Sequence, residues 1–168
     1  MSRSTGLPPW QAMGAVYEDG AWWMRALSLW QPYASLCAWG LKPFETRRSA
    51  TNVRGPFVLC ATQKIAPPAM YDDVLRRLEA CGYDPGPFMR DRVARGVALA
   101  ICNLRDSRPM VDEDEPKAWV KRLTDEGEPR YVWELRDKPT RLREVKVTGG
   151  QRWFRVKCEG LEAATATP

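Results

Sequence analysis

The sequence predicts an α+β, mostly β domain: a small mixed β-barrel of about six strands with two or three short inserted helices. Three observations carry this. Short apolar or alternating runs of strand type are bounded by glycine and proline. Helical spacing appears only in short stretches. Most of the strand-like runs follow one another with no helical crossover, which argues against a doubly wound parallel sheet. At 168 residues the chain suffices for one domain with a substantial core and is short for two.

Residues 1–23 hold three glycines, Pro8, Pro9 and little periodicity. They read as a partly ordered extension, although Trp10, Trp22 and Trp23 are unusual in a free segment. The domain proper is expected over 24–158. Arg25 to Trp30 alternates as a strand does, and Pro32 suits the first turn of a helix. That helix runs from Tyr33 to Trp39, and Gly40 terminates it in the left-handed region. Lys42 to Arg47 forms the next strand, with Pro43 at its start. Phe57 to Ala61 is a continuous apolar strand of the buried type. Met70, Val74, Leu75 and Leu78 mark a helix over Met70 to Cys81, ended by Gly82. Gly96 to Leu104 is the most apolar stretch and reads as a central strand. Asp106 to Glu115 reads as loop, and Pro116 to Leu123 as a helical turn around Trp119. Tyr131 to Leu135 is a strand. Leu142 to Val147 and Trp153 to Lys157 follow as a pair of strands, with Gly149-Gly150 as turn residues between them. The segment 159–168 is small, polar and expected to fray.

Composition excludes several chemistries. The chain has no histidine, so a Ser-His-Asp triad, a Cys-His dyad, a His-ligated zinc and a two-histidine ribonuclease site are all ruled out. Its five cysteines are far apart and form no CxxC, which fits small buried hydrophobes better than a zinc ribbon or a disulfide framework. No stretch approaches the roughly 20 apolar residues of a membrane span. Residues 1–23 lack the apolar core of a signal peptide, so a cytoplasmic, membrane-free and monomeric protein is expected. No cofactor is expected, although Glu45 with a second carboxylate would suffice to hold a divalent metal without histidine. The net charge of +5 favours anionic partners. Arg130 to Lys157 carries nine Lys or Arg against three Asp or Glu, and reads either as a phosphate-facing surface or as a solvated strand face.

The segments LSLWQPYASLCAWGLKPFETR, RGPFVLCA and RYVWEL with the later TGGQRWFRV stand in order along the chain. Together they resemble the ASCH family of PUA-like barrels over roughly Met24 to Lys157. The first segment resembles the family's opening strand, Gln-Pro helix and G-x-K-x-x-E-x-R signature, here Gly40, Lys42, Glu45 and Arg47. The resemblance implies a barrel enclosing a cleft lined by that signature, acting on RNA or modified nucleosides. One branch of the family is an acetylcytidine amidohydrolase using Lys, Thr and Glu; another has been linked to ribonuclease activity. Where the amidohydrolase branch has its Thr, three residues after the Lys, this chain has Glu45.

Physical chemistry gives these residues individual roles. On a strand, Glu45 and Arg47 share a face, because side chains alternate. Lys42 lies at the helix-to-strand corner, within reach of the same space. A Lys, a carboxylate and an Arg converging in a cleft suit a phosphate together with a base edge. The plainer alternative is an ion pair that ties the sheet together. Gln31 and Tyr33 offer an amide and a phenol to a base edge, although Gln31 equally suits capping backbone groups beside Pro32. Trp30, Trp39 and Trp133 are candidate stacking platforms or core residues, with Trp133 the first choice for the cleft. Arg54, before Gly55-Pro56, is a candidate phosphate contact. Three functions follow: an RNA- or nucleotide-binding module; a hydrolase on RNA or a modified nucleoside with Lys42 and Glu45 as the catalytic pair; and a protein-interaction domain using the N-terminal tryptophans.

Overall fold

The computed structural model describes residues 6–165, with Asp137 in its backbone only. Seven strands form one mixed sheet: β1 (Val16–Glu18), β2 (Ala21–Gln31), β3 (Phe44–Arg47), β4 (Gly55–Ile65), β5 (Val97–Pro109), β6 (Tyr131–Lys146) and β7 (Phe154–Lys157). Three helices are inserted: α1 (Tyr33–Ala38), α2 (Pro68–Ala80) and α3 (Glu115–Ala118). The central order is β2-β4-β5-β6-β3, with β2 and β4 parallel and every other pairing antiparallel. One side of β2 carries β1 at Ala21–Trp23 and then β4 from Ala26; the other carries β7 over Trp23–Ala26. Nothing pairs β3 with β2 or β7, so the sheet is not closed into a barrel. The expected barrel is corrected to a curled, open sheet of mixed α+β type.

The central strands are apolar on both faces because both faces are covered. Leu27, Leu29, Phe57, Leu59, Cys102 and Leu104 pack on one side with α1 residues Ala34 and Cys37. Met24, Ala26, Val58, Cys60 and Ala98 pack on the other with Val156 and Leu161. A satellite cluster joins α2 (Val74, Leu78) to Leu36, Phe88 and Trp119. In α2 it is Tyr71, fully buried, that turns inward, while Met70 lies outside at 41% exposure.

Three readings of the sequence change. The extension is part of the fold from Leu7 onward: Trp10, Met13 and Trp22 pack on the second cluster, and β1 hairpins onto β2 through Asp19-Gly20, both at positive φ. The tail also docks in part. Leu161 is 1% exposed, Arg143 N donates to Glu162 O, and Ala164 N donates to Arg141 O, laying 162–164 along the edge of β6. Residues 166–168 and 1–5 lie outside the described residues. Finally, the runs read as separate strands at 131–135 and 142–147 are one sixteen-residue strand that pairs with β5 through register shifts. β6 therefore does not hairpin with β7; β7 crosses to β2. Asp106 to Pro109, read as loop, continues β5.

Candidate functional site

The gap between β2 and β3, where the sheet fails to close, is an open cleft of about 860 Å³. Its walls come from Leu27–Trp30 of β2, Glu45–Arg47 of β3 with the following residues 48–51, Trp133 of β6, and the 150–153 segment that leads into β7. Gly150 is needed there because a Cβ would sit 2.7 Å from Phe154 Cβ.

Lys42 is delivered by the end of α1. Gly40, at φ +76°, lets the chain turn, and the Leu41 and Lys42 amides both donate to Leu36 O at 2.9 and 3.1 Å. The Lys42 side chain is then 1% exposed on the cleft floor. Its Nζ donates to Phe44 O at 2.6 Å and to Glu45 Oε2 at 2.9 Å, and lies 5.9 Å from the Tyr33 ring centroid. These acceptors offset the cost of burying the ammonium. β3 pairs with β6 so that Glu45 stands opposite Trp133 and Arg47 opposite Tyr131. Glu45 and Arg47 therefore share a face with Trp133. Arg47 Nε lies 3.3 Å from Glu45 Oε1, its Nη2 donates to Ser28 O at 3.2 Å, and its guanidinium stands 5.6 Å over the Trp133 ring. Arg47 thus spans the gap from β3 to β2.

Trp133 is mostly floor. It is 6% exposed, its Nε1 donates to Ser49 O, and Trp153 stacks on it at 5.6 Å and 9°. The open aromatic of the cleft is Trp30, 44% exposed. Tyr33 is half-buried at the inner end, where burial, and then the Asp73 carboxylate, push its hydroxyl pKa up. Behind the floor, burial pushes the Cys37 thiol up to about 12. Cys37, Cys60, Cys102 and Cys158 are all buried and free.

Three sequence-selected residues, Gln31, Arg54 and Trp39, do not line the cleft. Gln31 is fully buried: its Oε1 accepts from Ser35 N and its Nε2 donates to Ala94 O, so it caps α1 and ties it to the 94–96 turn. Arg54 is held on the outside by Thr51 O, Val53 O and Asp106. Trp39 faces away from the cleft, beneath Arg141 at 4.2 Å. Of the nine cations between Arg130 and Lys157, only Arg130 and Arg152 reach the cleft. Sequence reasoning missed Arg130, Arg152 and Trp153 as cleft residues. Arg130 and Arg152 precede their strands, so no alternation marks them.

The cleft wall carries five cations (Lys42, Arg47, Arg48, Arg130 and Arg152) and one carboxylate, Glu45. It opens at Tyr33, Arg48, Met70, Val120 and Arg130 onto a second hollow of about 960 Å³, here called the shelf, built from α2, α3 and the 120–126 loop. No group of three or more metal-binding side chains occurs among the described residues, and none of their helices is long and apolar enough to cross a membrane.

No family model matches the chain, and no curated protein matches it. Among solved structures, the fold is similar to the crystal structure of ASCH from Zymomonas mobilis, with a TM-score of 0.49 and 13% identity over 80% of this chain and 88% of that chain. Two single-substitution variants of that Zymomonas mobilis protein match at a TM-score of 0.48 and 13% identity, each over 80% of this chain, and over 91% and 89% of theirs. A likeness at this level assigns neither family nor activity.

Proposed function

We propose that the chain is an ASCH-type binding protein and that the cleft between β2 and β3 holds a nucleotide or a residue of single-stranded RNA. The observation that carries this reading is the meeting of Lys42, Glu45 and Arg47 in one open cleft whose wall has five cations to one carboxylate. A low-dielectric recess with that imbalance attracts phosphate. Arg47 and Arg48 at the β3 end supply phosphate donors. Trp30 offers an open face on which any base can stack, and Tyr33, also on the cleft wall, adds a phenol hydroxyl. Lys42 and Glu45 shape the floor and hold Arg47 in place.

Fluorescence anisotropy with labelled short single-stranded RNA, competed by mononucleotides at low salt, tests the reading. Micromolar or tighter binding, weakened by Arg47→Ala, is expected. Binding that is undetectable at low salt for every RNA and nucleotide ends it.

The 2.9 Å contact of Lys42 with Glu45 at the cleft floor favours a second reading, hydrolysis of RNA or of an acylated nucleoside. Lys42 has 1% exposure and two of its three protons committed, so binding is preferred over catalysis. Turnover of RNA or of an N-acylated nucleoside that vanishes in Lys42→Ala while the variant stays folded would reverse that preference.

A further inference from the structure

Arg130 sits where the cleft meets the shelf and lines both. Its backbone is clamped on either side: its N–H donates to Arg122 O at 3.1 Å, and its carbonyl accepts from Met110 N at 3.0 Å. Its guanidinium is different. Among the described residues, Arg130 makes no side-chain hydrogen bond and no ion pair, although it is half-buried and its Nε is shut off from solvent. The other arginines of the two hollows are engaged. Arg48 pairs with Glu126 and Glu128, Arg122 with Asp112, Arg77 with Trp119 O, and Arg47 with Glu45 and Ser28 O; only the solvent-exposed Arg152 stands apart. Arg47 shares one feature with Arg130: its Nε is also buried without a hydrogen-bond acceptor, Glu45 Oε1 being near but out of line. Buried donors without acceptors are unfavourable and uncommon in folded proteins. Those two Nε atoms are sealed beyond a ligand's reach; what Arg130 offers the cleft is the Nη edge of a guanidinium that no protein acceptor among the described residues engages, and with Arg47 on the same wall it suits a tetrahedral oxyanion.

The position of Arg130 says more about that anion. Beyond it the shelf adds only Arg77, Lys121 and Arg122, against Asp73, Asp112, Glu115, Asp125 and Glu126. A polyanion running on past Arg130 would bring its next phosphate into a region where the positive charge is already matched. The favourable field therefore stops at Arg130.

Resting on the reading of the cleft as a nucleotide site, we infer that Arg130 and Arg47 form a subsite for a terminal phosphate monoester. The ligand is a mononucleotide, or the phosphorylated end of a strand, and not the interior of a long RNA. The phosphate lies at the cleft–shelf junction, and the base lies back toward Trp30.

Isothermal titration with the four ribonucleosides, their 5′- and 3′-monophosphates, and tetranucleotides with and without a terminal phosphate tests this. For the wild type, one monophosphate series should bind at least about tenfold tighter than its nucleosides. The terminally phosphorylated tetranucleotide should outbind its unphosphorylated counterpart by a similar factor. Arg130→Gln should erase the difference by bringing monophosphate affinity down to that of the nucleoside, and Arg130→Lys should restore part of it. Equal affinity for nucleoside and monophosphate overturns the subsite and leaves the nucleotide reading standing. So does a phosphate preference that survives in Arg130→Gln, or equal binding of the two tetranucleotides. Failure of every probe to bind removes the nucleotide reading and the subsite with it.

Discussion

The cleft and the shelf are nearly equal in volume and carry the same number of cations, yet they are built on opposite electrostatic plans. In the shelf five carboxylates stand against the five cations, and two of the arginines are directly paired: Arg122 sits 2.7 Å from Asp112, and Arg48 faces Glu126 and Glu128 at 3.9 and 3.6 Å. These are exposed pairs on helices and loops, of the kind that contributes little to stability. In the cleft one carboxylate serves two cations, and it does so on the sheet, at the floor. A count of basic residues would rank the two hollows alike. The carboxylates, and how deeply they are set, separate a surface that balances itself from one that leaves charge for a ligand.

The largest effect that separates the two regions should come from Glu45. Replacing it with Leu leaves the Lys42 ammonium buried with Phe44 O as its remaining acceptor, at a cost of about 3 kcal/mol or more in urea unfolding. Lys42→Met removes the buried charge itself and leaves Glu45 beside Arg47, so its cost should be about 1 kcal/mol. Equal costs for the two substitutions would mean that the floor is not held by this ion pair.

Alkaline pH should act chiefly through the four buried thiols of the sheet clusters, since the shelf contains no cysteine and Tyr33 is its one group with a raised pKa. Burial raises Cys37, Cys60 and Cys158 from 9.0 to about 12, and Cys102 well above its ordinary value. A group whose folded pKa is raised contributes stability that is fully present below its unfolded value and lost as pH rises through the folded one. The melting temperature should therefore hold up to about pH 9 and fall between about 9 and 12. Cys60→Ala should make that fall shallower by removing one thiol. A slope unchanged in Cys60→Ala would show that this thiol does not carry the pH dependence.

The next effect is on the salt dependence of RNA binding. Arg47→Ala should lower the slope of log K against log salt by about 0.7 for each phosphate that Arg47 neutralises. Arg122→Ala in the shelf should leave slope and affinity alone and cost no more than about 0.5 kcal/mol in stability. Were Arg122→Ala to weaken binding as much as Arg47→Ala, the shelf would be part of the ligand site.

The site was legible where local rules place side chains. The left-handed terminator Gly40 sends Lys42 inward, and the alternation of β3 puts Glu45 and Arg47 on one face. Gln31 had two local roles open to it, and packing selected the cap. Arg54 could not be placed from sequence, because the partner that helps hold it outside, Asp106, is 52 residues away. Arg130 could not be found as an unpaired group, since having no partner is a property of the surrounding fold. The same division holds for the sheet. The strands of the core were readable from apolar runs, but the β2–β4 pairing and the crossing of β7 to β2 join segments distant in sequence. β6 looked like two strands because the register shift between Arg136 and Thr140 interrupts its alternation around Pro139. The β1 hairpin did leave a local mark, the Asp19-Gly20 pair between two short runs, which is a strong turn signal.

The segment laid along β6 bears on how this molecule behaves in company. A sixteen-residue strand with one bare side would be a template on which another chain could assemble. Here β3 covers the first four residues of that side, and residues 162–164 bond with 141 and 143. Between them Pro139 has no N–H to offer. No uninterrupted stretch remains for a foreign strand to join, so an open sheet keeps its one opening for a ligand while this margin resists aggregation.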